Sequence, residues 1–333
     1  MNYFAGSLRA ACLPLLCALT VGAAAPKAFA QGAQDYPVRA IHIVVPFAPG
    51  GTSDVLARAI GQKLTETWGQ PVVVDNRPGA GGNIGADSVA KAVPDGYTLL
   101  LLDMSTLTIG PSIYARLSYN PLKDFAPVTA VAASTFVMAV NPALPINSVK
   151  QLIAYGKANP GKLTFASSGI GTSVHLAAEQ FRLMTGIDMT HVPYKGGAAA
   201  LVGVIGGEVS VTLQGLIATL PHIKAGRLRA IAVGSAKRSP AAPELPTIAE
   251  SGLPGYQAGT VQGLLAPGGT PRDVVQKLNA AVVRILNTPE MKERLASQGA
   301  EVIGNTPEQF AAFIRDDTEK WAKVVKEIGL KPE

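Results

Sequence analysis

The chain has 333 residues, of which 47% are hydrophobic, 6% aromatic and 16% charged, and its formal net charge is +6. This length exceeds what one small core needs and suits two α/β lobes. Neither a Lys/Arg run nor a basic helix stripe accompanies the positive charge, which excludes a nucleic-acid-binding protein.

Residues 1–30 have the pattern of a secretory signal peptide. Arg9 lies in the charged region, an apolar run extends over residues 10–25, and Ala28-Phe29-Ala30 is a small-x-small cleavage site. The apolar run is short for a bilayer-spanning helix, which needs about 20 apolar residues. We therefore expect cleavage after Ala30 and export to the periplasm.

Both cysteines, Cys12 and Cys17, lie in this segment. The mature chain then has no thiol for disulfides, thiolate catalysis or cysteine metal sites. Removal of Arg9 and Lys27 leaves a net charge near +4, a mild bias that is compatible with an anionic ligand.

The residues that follow alternate between strand-length apolar runs and helical patterns, at 41–45, 53–68, 72–74, 84–92 and 97–102. This alternation predicts a parallel α/β sheet. Four consecutive leucines at 99–102 predict a central strand that is buried on both faces.

After an apolar stretch at 125–140, the alternation starts again. Ser148 and Gln151 form a capping box for a helix through residue 155. The βα units that follow are predicted at 163–166 with 172–184, 189–193 with 198–205, 209–213 with 216–225, and a last strand at 228–233.

The proline-rich stretch 239–246 predicts a crossing back to the first lobe, and Thr270 and Thr306 are predicted to cap two helices beyond it. With crossings near residues 135 and 240, we predict a first lobe over 31–134 and a second over 135–238. Residues 239–333 supply the crossing segment and the helical remainder of the first lobe. Such doubly connected lobes close on a ligand by hinge bending.

Two glycine-containing turns lead from predicted strands into helices, at residues 43–54 and 163–175. A helix N-terminus offers unpaired backbone N–H groups and the positive end of the helix dipole, and glycine lets the backbone approach a ligand. Either turn alone is as compatible with an ordinary βα connection as with a ligand-binding turn. The pair, one on each lobe, favours a shared site for a carboxylate.

Over almost its whole mature length, the sequence resembles the tripartite tricarboxylate transporter substrate-binding proteins, also called the Bug family. The segments that carry the resemblance are VPFAPGGTSD (45–54), VDNRPGAGGNIG (74–85), PDGYTLL (94–100), VPYKG (192–196), LPHIKAG (220–226), SAKRSP (235–240), ESGLPGY (250–256) and LAPGGTP (265–271).

The resemblance implies a two-lobe, type II-like periplasmic-binding-protein fold with two open, mostly parallel sheets flanked by helices and a double-crossing hinge. It implies a receptor, not an enzyme, that holds a small mono- or dicarboxylate largely through backbone N–H groups and passes it to the permease subunits of a tripartite carboxylate transporter. We expect a monomer without cofactor, metal or nucleic acid. The ligand-binding residues that it implies are Phe47, Ala48, Gly51, Thr52, Ser53, Asp54, Met104, Ser105, Ser168, Gly169, Thr172, Ser173, His175, Tyr194 and Gln214.

The chain departs from the family pattern at several positions. Gln214 stands where members commonly carry an acidic residue, which argues against an amino-acid ligand because an ammonium group would lose its partner. An aromatic residue common near Val261 is absent, and the turn from Asp103 to Ser105 differs from the usual glycine-containing one.

Three other functions remain to be weighed. A periplasmic sensor for a signalling system would bind the same ligand and stays open as an alternative. A serine hydrolase using Ser173 with His175 or His191 is disfavoured because no Gly-x-Ser-x-Gly turn exists, and residues two apart on a helix face away from each other. A dinucleotide site is disfavoured because Val174 occupies a position that requires Gly or Ala. For His175 itself, a ligand contact and a structural role are equally compatible with the sequence.

Overall fold

The computed structural model describes residues 35–327. The predicted signal peptide, with Cys12 and Cys17, lies outside these residues. Within the described part of the chain, no helix is both long and apolar enough to cross a bilayer.

Strands and helices alternate over much of residues 35–327, with consecutive helices at α3–α4 and α9–α10 and consecutive strands at β8–β9. The strands are β1 (Ile41–Val45), β2 (Val72–Asn76), β3 (Thr98–Asp103), β4 (Phe125–Val140), β5 (Thr164–Ser167), β6 (Thr190–Pro193), β7 (Val211–Gly215), β8 (Arg229–Val233), β9 (Gly259–Pro267) and β10 (Ala300–Val302). The helices are α1 (Thr52–Trp68), α2 (Asn83–Ala90), α3 (Ser105–Thr108), α4 (Gly110–Ile113), α5 (Val149–Ala158), α6 (Ser173–Thr185), α7 (Gly197–Ile205), α8 (Leu216–Lys224), α9 (Arg272–Leu286), α10 (Pro289–Ser297) and α11 (Pro307–Glu327).

The strands of the βα units pair in parallel in both lobes, as predicted. In the first lobe β1 lies between β2 and β3, and in the second β5 lies between β6 and β7. The four leucines of β3 are fully buried, and β3 lies between β1 and β9. The prediction of a central strand at 99–102 is therefore confirmed, because helices and neighbouring strands shield it from water on every side.

One long strand belongs to both sheets. β4 has 16 residues; its first part pairs antiparallel with β9 and β10, and its last five residues pair antiparallel with β7 and β8. β4 carries the chain from the first lobe to the second, and β9 runs back beside it. Both sheets therefore contain parallel and antiparallel pairs, because β4 and β9 run antiparallel to the strands beside them. Antiparallel neighbours need no helical crossover.

Three residues, which we call the hinge cluster, join the crossing segments between the lobes. The N–H of Gly234 donates to the carbonyl of Phe136 (2.7 Å), the N–H of Ala258 donates to the carbonyl of Gly234 (2.8 Å), and the N–H of Phe136 donates to the carbonyl of Ala258 (3.4 Å). A Cβ on Gly234 would lie 2.6 Å from the carbonyl oxygen of Ala258. Glycine is therefore needed for the crossing segments to approach this closely.

The return to the first lobe comes later in the chain than the sequence pattern predicts. Ile248, Leu253 and Tyr256 are buried in the hydrophobic core of the second lobe. The prolines of residues 239–246 interrupt regular structure, but the apolar side chains that follow still pack against the second lobe. We therefore place the second crossing at residues 258–259, which begin with Ala258 of the hinge cluster.

Two of the three predicted helix caps are present. The Ser148 hydroxyl accepts a hydrogen bond from the N–H of Gln151 (3.2 Å), and Thr306 caps α11 in the same way. Thr270 does not cap α9. Its hydroxyl donates instead to the carbonyl of Pro267 (2.8 Å), because the helix begins one residue later than the predicted cap requires.

A stack of three rings supports the connection between β5 and α6. The ring centroid of His191 lies 4.6 Å from that of Phe165 and 4.1 Å from that of His175. The Nδ1 atom of His175 accepts a hydrogen bond from the N–H of Gly171 (3.2 Å), and Nε2 of His191 lies 2.6 Å from the Ser167 hydroxyl. Nδ1 of His175 must therefore be unprotonated to hold the connection in place.

We expect the free energy of unfolding to fall as the pH drops from 7 to 5. Burial, with the charge of His175 as a second cause, lowers the pKa of His191 to about 3. Burial also lowers the pKa of His175 from its ordinary value, against the opposing charge of Glu179. Histidines of the unfolded chain titrate near pH 6.5, so below that pH the unfolded state binds protons that the folded state does not. Thermal unfolding by circular dichroism at pH 7, 6 and 5 measures the loss.

His175→Asn is the matched control, because an asparagine carbonyl oxygen can replace Nδ1 as the acceptor for Gly171 and does not titrate. Its melting temperature should fall less between pH 7 and 5 than that of the wild type. Each kcal/mol corresponds to about 2–4 °C in a domain of this size range, which is readily measured. Parallel pH profiles for the two proteins would contradict the role given to His175.

Candidate functional site

Two loops meet at the cleft between the lobes. The first loop, residues 46–51, leads from β1 into α1, and the second loop, residues 168–172, leads from β5 into α6. Residues at the start of both helices line one small cavity between the loops. Both helices thus direct the positive ends of their dipoles toward the same space.

Asp54 holds the first loop from behind. Its carboxylate accepts hydrogen bonds from the N–H of Gly50 (2.9 Å) and the amide of Asn76 (3.0 Å), and it pairs with Arg58 at 2.9 Å. Burial alone would raise the pKa of Asp54, but Arg58 and the other donors outweigh it and hold the pKa below its usual value. Asp54 therefore remains charged and shapes the loop, and it does not line the cavity.

The second loop is held by its own polar groups. Gly169 has a φ of 132°, which L side chains rarely adopt. The Thr172 hydroxyl donates to the carbonyl of Gly169 (2.7 Å) and accepts from the N–H of His175 (3.4 Å), which caps α6. Ser168 donates its hydroxyl hydrogen to Oε1 of Gln214 (3.2 Å).

The two lobes are closed in this structure. The N–H of Ala48 in the first lobe donates to the carbonyl of Lys195 in the second (3.1 Å). The Ser173 hydroxyl donates to Oδ2 of Asp103 (2.5 Å), and the N–H of Ser173 donates to the hydroxyl of Ser105 (3.0 Å). Opening of the cleft must break these bonds.

Closure leaves an inner cavity of about 30 Å³ between the loops, enough for about two water molecules. Seven of the residues predicted from the sequence line it: Phe47, Gly51, Thr52, Ser53, Ser168, Thr172 and Gln214. The remaining lining residues are Asp103, Phe136, Val174, Gly197, Gly215, Thr260 and Gln262.

A second and larger cavity, of about 760 Å³, lies beside the hinge cluster, and we call it the hinge cavity. Met104, Ser105 and Ser173, which were predicted to line the ligand site, line the hinge cavity instead. Asp103 and Thr260 line both cavities and thus lie between them.

Four other predicted residues lie outside the inner cavity. Ala48 and Gly169 take part in close backbone contacts between the lobes. His175 stacks its ring on His191 in the second lobe. Tyr194 packs against α7 and donates its hydroxyl hydrogen to the carboxylate of Glu208 (3.3 Å). Of the two roles considered for His175, the structural one agrees with this position.

Two polar side chains of β9 complete the wall of the inner cavity and were not predicted. The Ser53 hydroxyl donates to Oε1 of Gln262 (2.6 Å), and Nε2 of Gln262 donates to the Thr260 hydroxyl (3.1 Å). The sequence carries a signal for them, because polar residues two apart in an otherwise apolar strand share one face. The antiparallel pairing of β9 with β3 and β4 turns that face toward the start of α1.

Gln214 has a donor without a partner. It is 4% exposed, and although its Oε1 accepts from Ser168, no group bonds its Nε2 in the described chain. A buried amide donor that is left unpaired costs about 1–3 kcal/mol. Because Gln214 lines the inner cavity, a molecule bound there can satisfy this donor.

The geometry gives no support to catalysis by Ser173. Its hydroxyl bonds Asp103 of the other lobe, and the ring of His175 lies in the stack beneath the second loop. Over residues 35–327, no three metal-ligating side chains converge on one point.

Comparison with known proteins gives a consistent result. A sequence profile described as "Tripartite tricarboxylate transporter family receptor" matches residues 56–330. Protein BugT of Bordetella pertussis is 42% identical over 313 residues, which cover 94% of this chain and 95% of BugT.

Solved structures superpose closely. The structure of R. palustris Rpa4515 with adipate matches with a TM-score of 0.87 and 39% identity, covering 90% of this chain and all of the other. MatC from Rhodopseudomonas palustris with bound malate matches with a TM-score of 0.82 and 33% identity, covering 87% of this chain and all of the other. The fold and family of these proteins are those of solute-binding proteins of the periplasm. The chain therefore belongs to the tripartite tricarboxylate transporter receptor family.

Proposed function

We propose that this protein captures a small organic carboxylate in the periplasm between its two loops and delivers it to the membrane permease subunits of a tripartite carboxylate transporter. Export depends on residues 1–30, with cleavage after Ala30. One chain supplies both loops, so a monomer suffices for binding.

The observation that carries this proposal is the unpaired Nε2 of Gln214 beside two helix N-termini. A carboxylate in the inner cavity would accept from Nε2 and from backbone N–H groups at the starts of α1 and α6. The adipate and malate held by two relatives support the same ligand class.

The inner cavity is too small for an organic acid, so binding begins with the open cleft. On closure the carboxylate group would replace the water between the loops, while the rest of the acid would extend toward the hinge cavity. The bonds from Ala48 to Lys195 and from Ser173 to Asp103 would then form beside it. A permease could then distinguish the loaded receptor by its closed shape.

We expect a carboxylate to stabilise the ligand-stripped, refolded mature protein. A ligand at 100 times its dissociation constant adds about 2.7 kcal/mol, or a rise of about 5–10 °C in melting temperature. A thermal-shift screen with aliphatic and aromatic mono- and dicarboxylates measures this. A shift with a sugar, cation or nucleotide, and with no carboxylate, would contradict the proposal.

We expect Gln214→Leu to weaken carboxylate binding by about 1–3 kcal/mol, because it removes the charge-assisted donor. The matched control is Gln298→Leu. Gln298 also has a buried amide atom without a partner, but it lines neither cavity. Isothermal titration calorimetry measures the carboxylate affinity of both variants. Equal affinities would mean that Gln214 does not contact the ligand.

We expect Gly215→Ala to prevent full closure and to weaken binding at least tenfold. A Cβ at Gly215 in the second lobe would collide with the hydroxyl oxygen of Thr52 in the first. Thr52→Ala removes that oxygen at a cost of about 0.5–1.5 kcal/mol for one neutral hydrogen bond. The double variant should therefore bind more tightly than Gly215→Ala alone, a coupling that a double-mutant cycle measures.

Gly206→Ala is the matched control for this substitution. Gly206 has a negative φ, and its added Cβ would come no closer than 3.4 Å to another atom. The carboxylate affinity of Gly206→Ala should match that of the wild type. If adding Thr52→Ala to Gly215→Ala did not restore affinity, the closed arrangement of the loops would be wrong.

A further inference from the structure

Asp103 places a carboxylate between the two cavities. It is the last residue of β3, and it lines both the inner cavity and the hinge cavity. Its Oδ1 accepts from the N–H of Ser105 (2.9 Å), and its Oδ2 accepts from the Ser173 hydroxyl (2.5 Å). Both donors are neutral, so its negative charge is solvated by hydrogen bonds but not neutralised.

The wall of the inner cavity carries no positive side chain. Its fourteen lining residues include no Lys, Arg or His, and Asp103 is the one ionisable residue among them. The first carboxylate of a ligand can be held by Gln214 and the two helix N-termini. Any second charged group of the ligand that lies at the border of the inner cavity meets neutral partners and Asp103.

The charge of Asp103 also acts on a side chain of the hinge cavity. Burial is the main reason why the pKa of Asp317 is raised; hydrogen bonds and the charge of Lys320 oppose it, and repulsion from Asp103 adds to it. Asp317 lines the hinge cavity but not the inner one. A ligand that extends from the inner cavity therefore passes Asp103 before it reaches the hinge cavity, whose lining has both acidic side chains (Glu301, Asp317) and basic ones (Lys237, Arg238, Lys320).

A second carboxylate held beside Asp103 would meet a like charge, with no basic side chain among the residues that line the inner cavity. Two like charges a few ångströms apart in a partly desolvated site repel strongly, and one of them must then take up a proton or stay in water. A hydroxyl, amide or ammonium group would instead donate a hydrogen bond to Asp103. Malate and adipate, which two relatives hold, each carry two carboxyl groups.

We propose that Asp103 determines ligand charge, so that this receptor selects carboxylates with a single negative charge and favours those with a hydrogen-bond donor at the far end. This inference rests on the proposed function and narrows its ligand class.

Calorimetry with matched ligand pairs tests the proposal. Each pair is a dicarboxylate and its own monoamide: succinate with succinamate, adipate with adipamate, and terephthalate with its monoamide. Members of a pair have nearly the same size but differ by one charge. At pH 7.5 we expect the monoamide of at least one pair to bind at least tenfold more tightly than the dicarboxylate.

Asp103→Asn keeps an acceptor for the N–H of Ser105 and removes the charge, so it should reduce that preference at least fivefold. The matched control Asp317→Asn removes a carboxylate from the hinge cavity alone and should change the preference less than twofold. Ser173→Ala provides a second variant. It removes one donor to Asp103, leaves the charge less well solvated and should increase the preference for the monoamide.

The outcomes separate the two proposals. Tighter binding of dicarboxylates by the wild type, or a preference for monoamides that Asp103→Asn leaves unchanged, overturns the inference about Asp103 and leaves the receptor function standing. Absence of binding by every probe, in protein that melts cooperatively, overturns both.

Discussion

The architecture depends on a single strand that is hydrogen-bonded into two sheets at once. β4 pairs with β9 and β10 in the first lobe and with β7 and β8 in the second. Its backbone groups are therefore satisfied along almost all of its length, and neither lobe can slide along the other without breaking a ladder. Rotation at the hinge cluster is the motion that preserves both ladders, which makes hinge bending the natural way for the cleft to open.

That constraint also decides which residues meet in the cleft. Loops at the carboxyl ends of β1 and β5 face each other because each lobe is an α/β unit whose strand ends point toward the hinge region. The site that results is built almost entirely from neutral groups: hydroxyls, amides and backbone N–H. Neutral donors hold an anion without a fixed counter-charge. Two charged residues nearby have different effects: Asp54 holds the first loop from behind, and Asp103 places a negative charge at the inner cavity.

Sequence patterns predicted much of the secondary structure but little of the contacts between segments that are distant in the chain. The βα order, the buried leucines of β3 and the caps at Ser148 and Thr306 depend on residues close together in the chain. Gln262 reaches Ser53 of α1 because β9 lies between β3 and β4, and no local pattern selects those partners. The ring of His175 likewise turns away from the cleft because it stacks on His191, a residue of another strand.

The bond between the Ala48 N–H and the Lys195 carbonyl joins main chain to main chain across the cleft. No side chain is needed for it, so it survives most substitutions at these two positions. It also exists only while the lobes are together. The Ala48 amide proton can therefore exchange with solvent deuterium only during excursions to the open form, and its exchange rate is an intrinsic measure of how often the unloaded receptor opens.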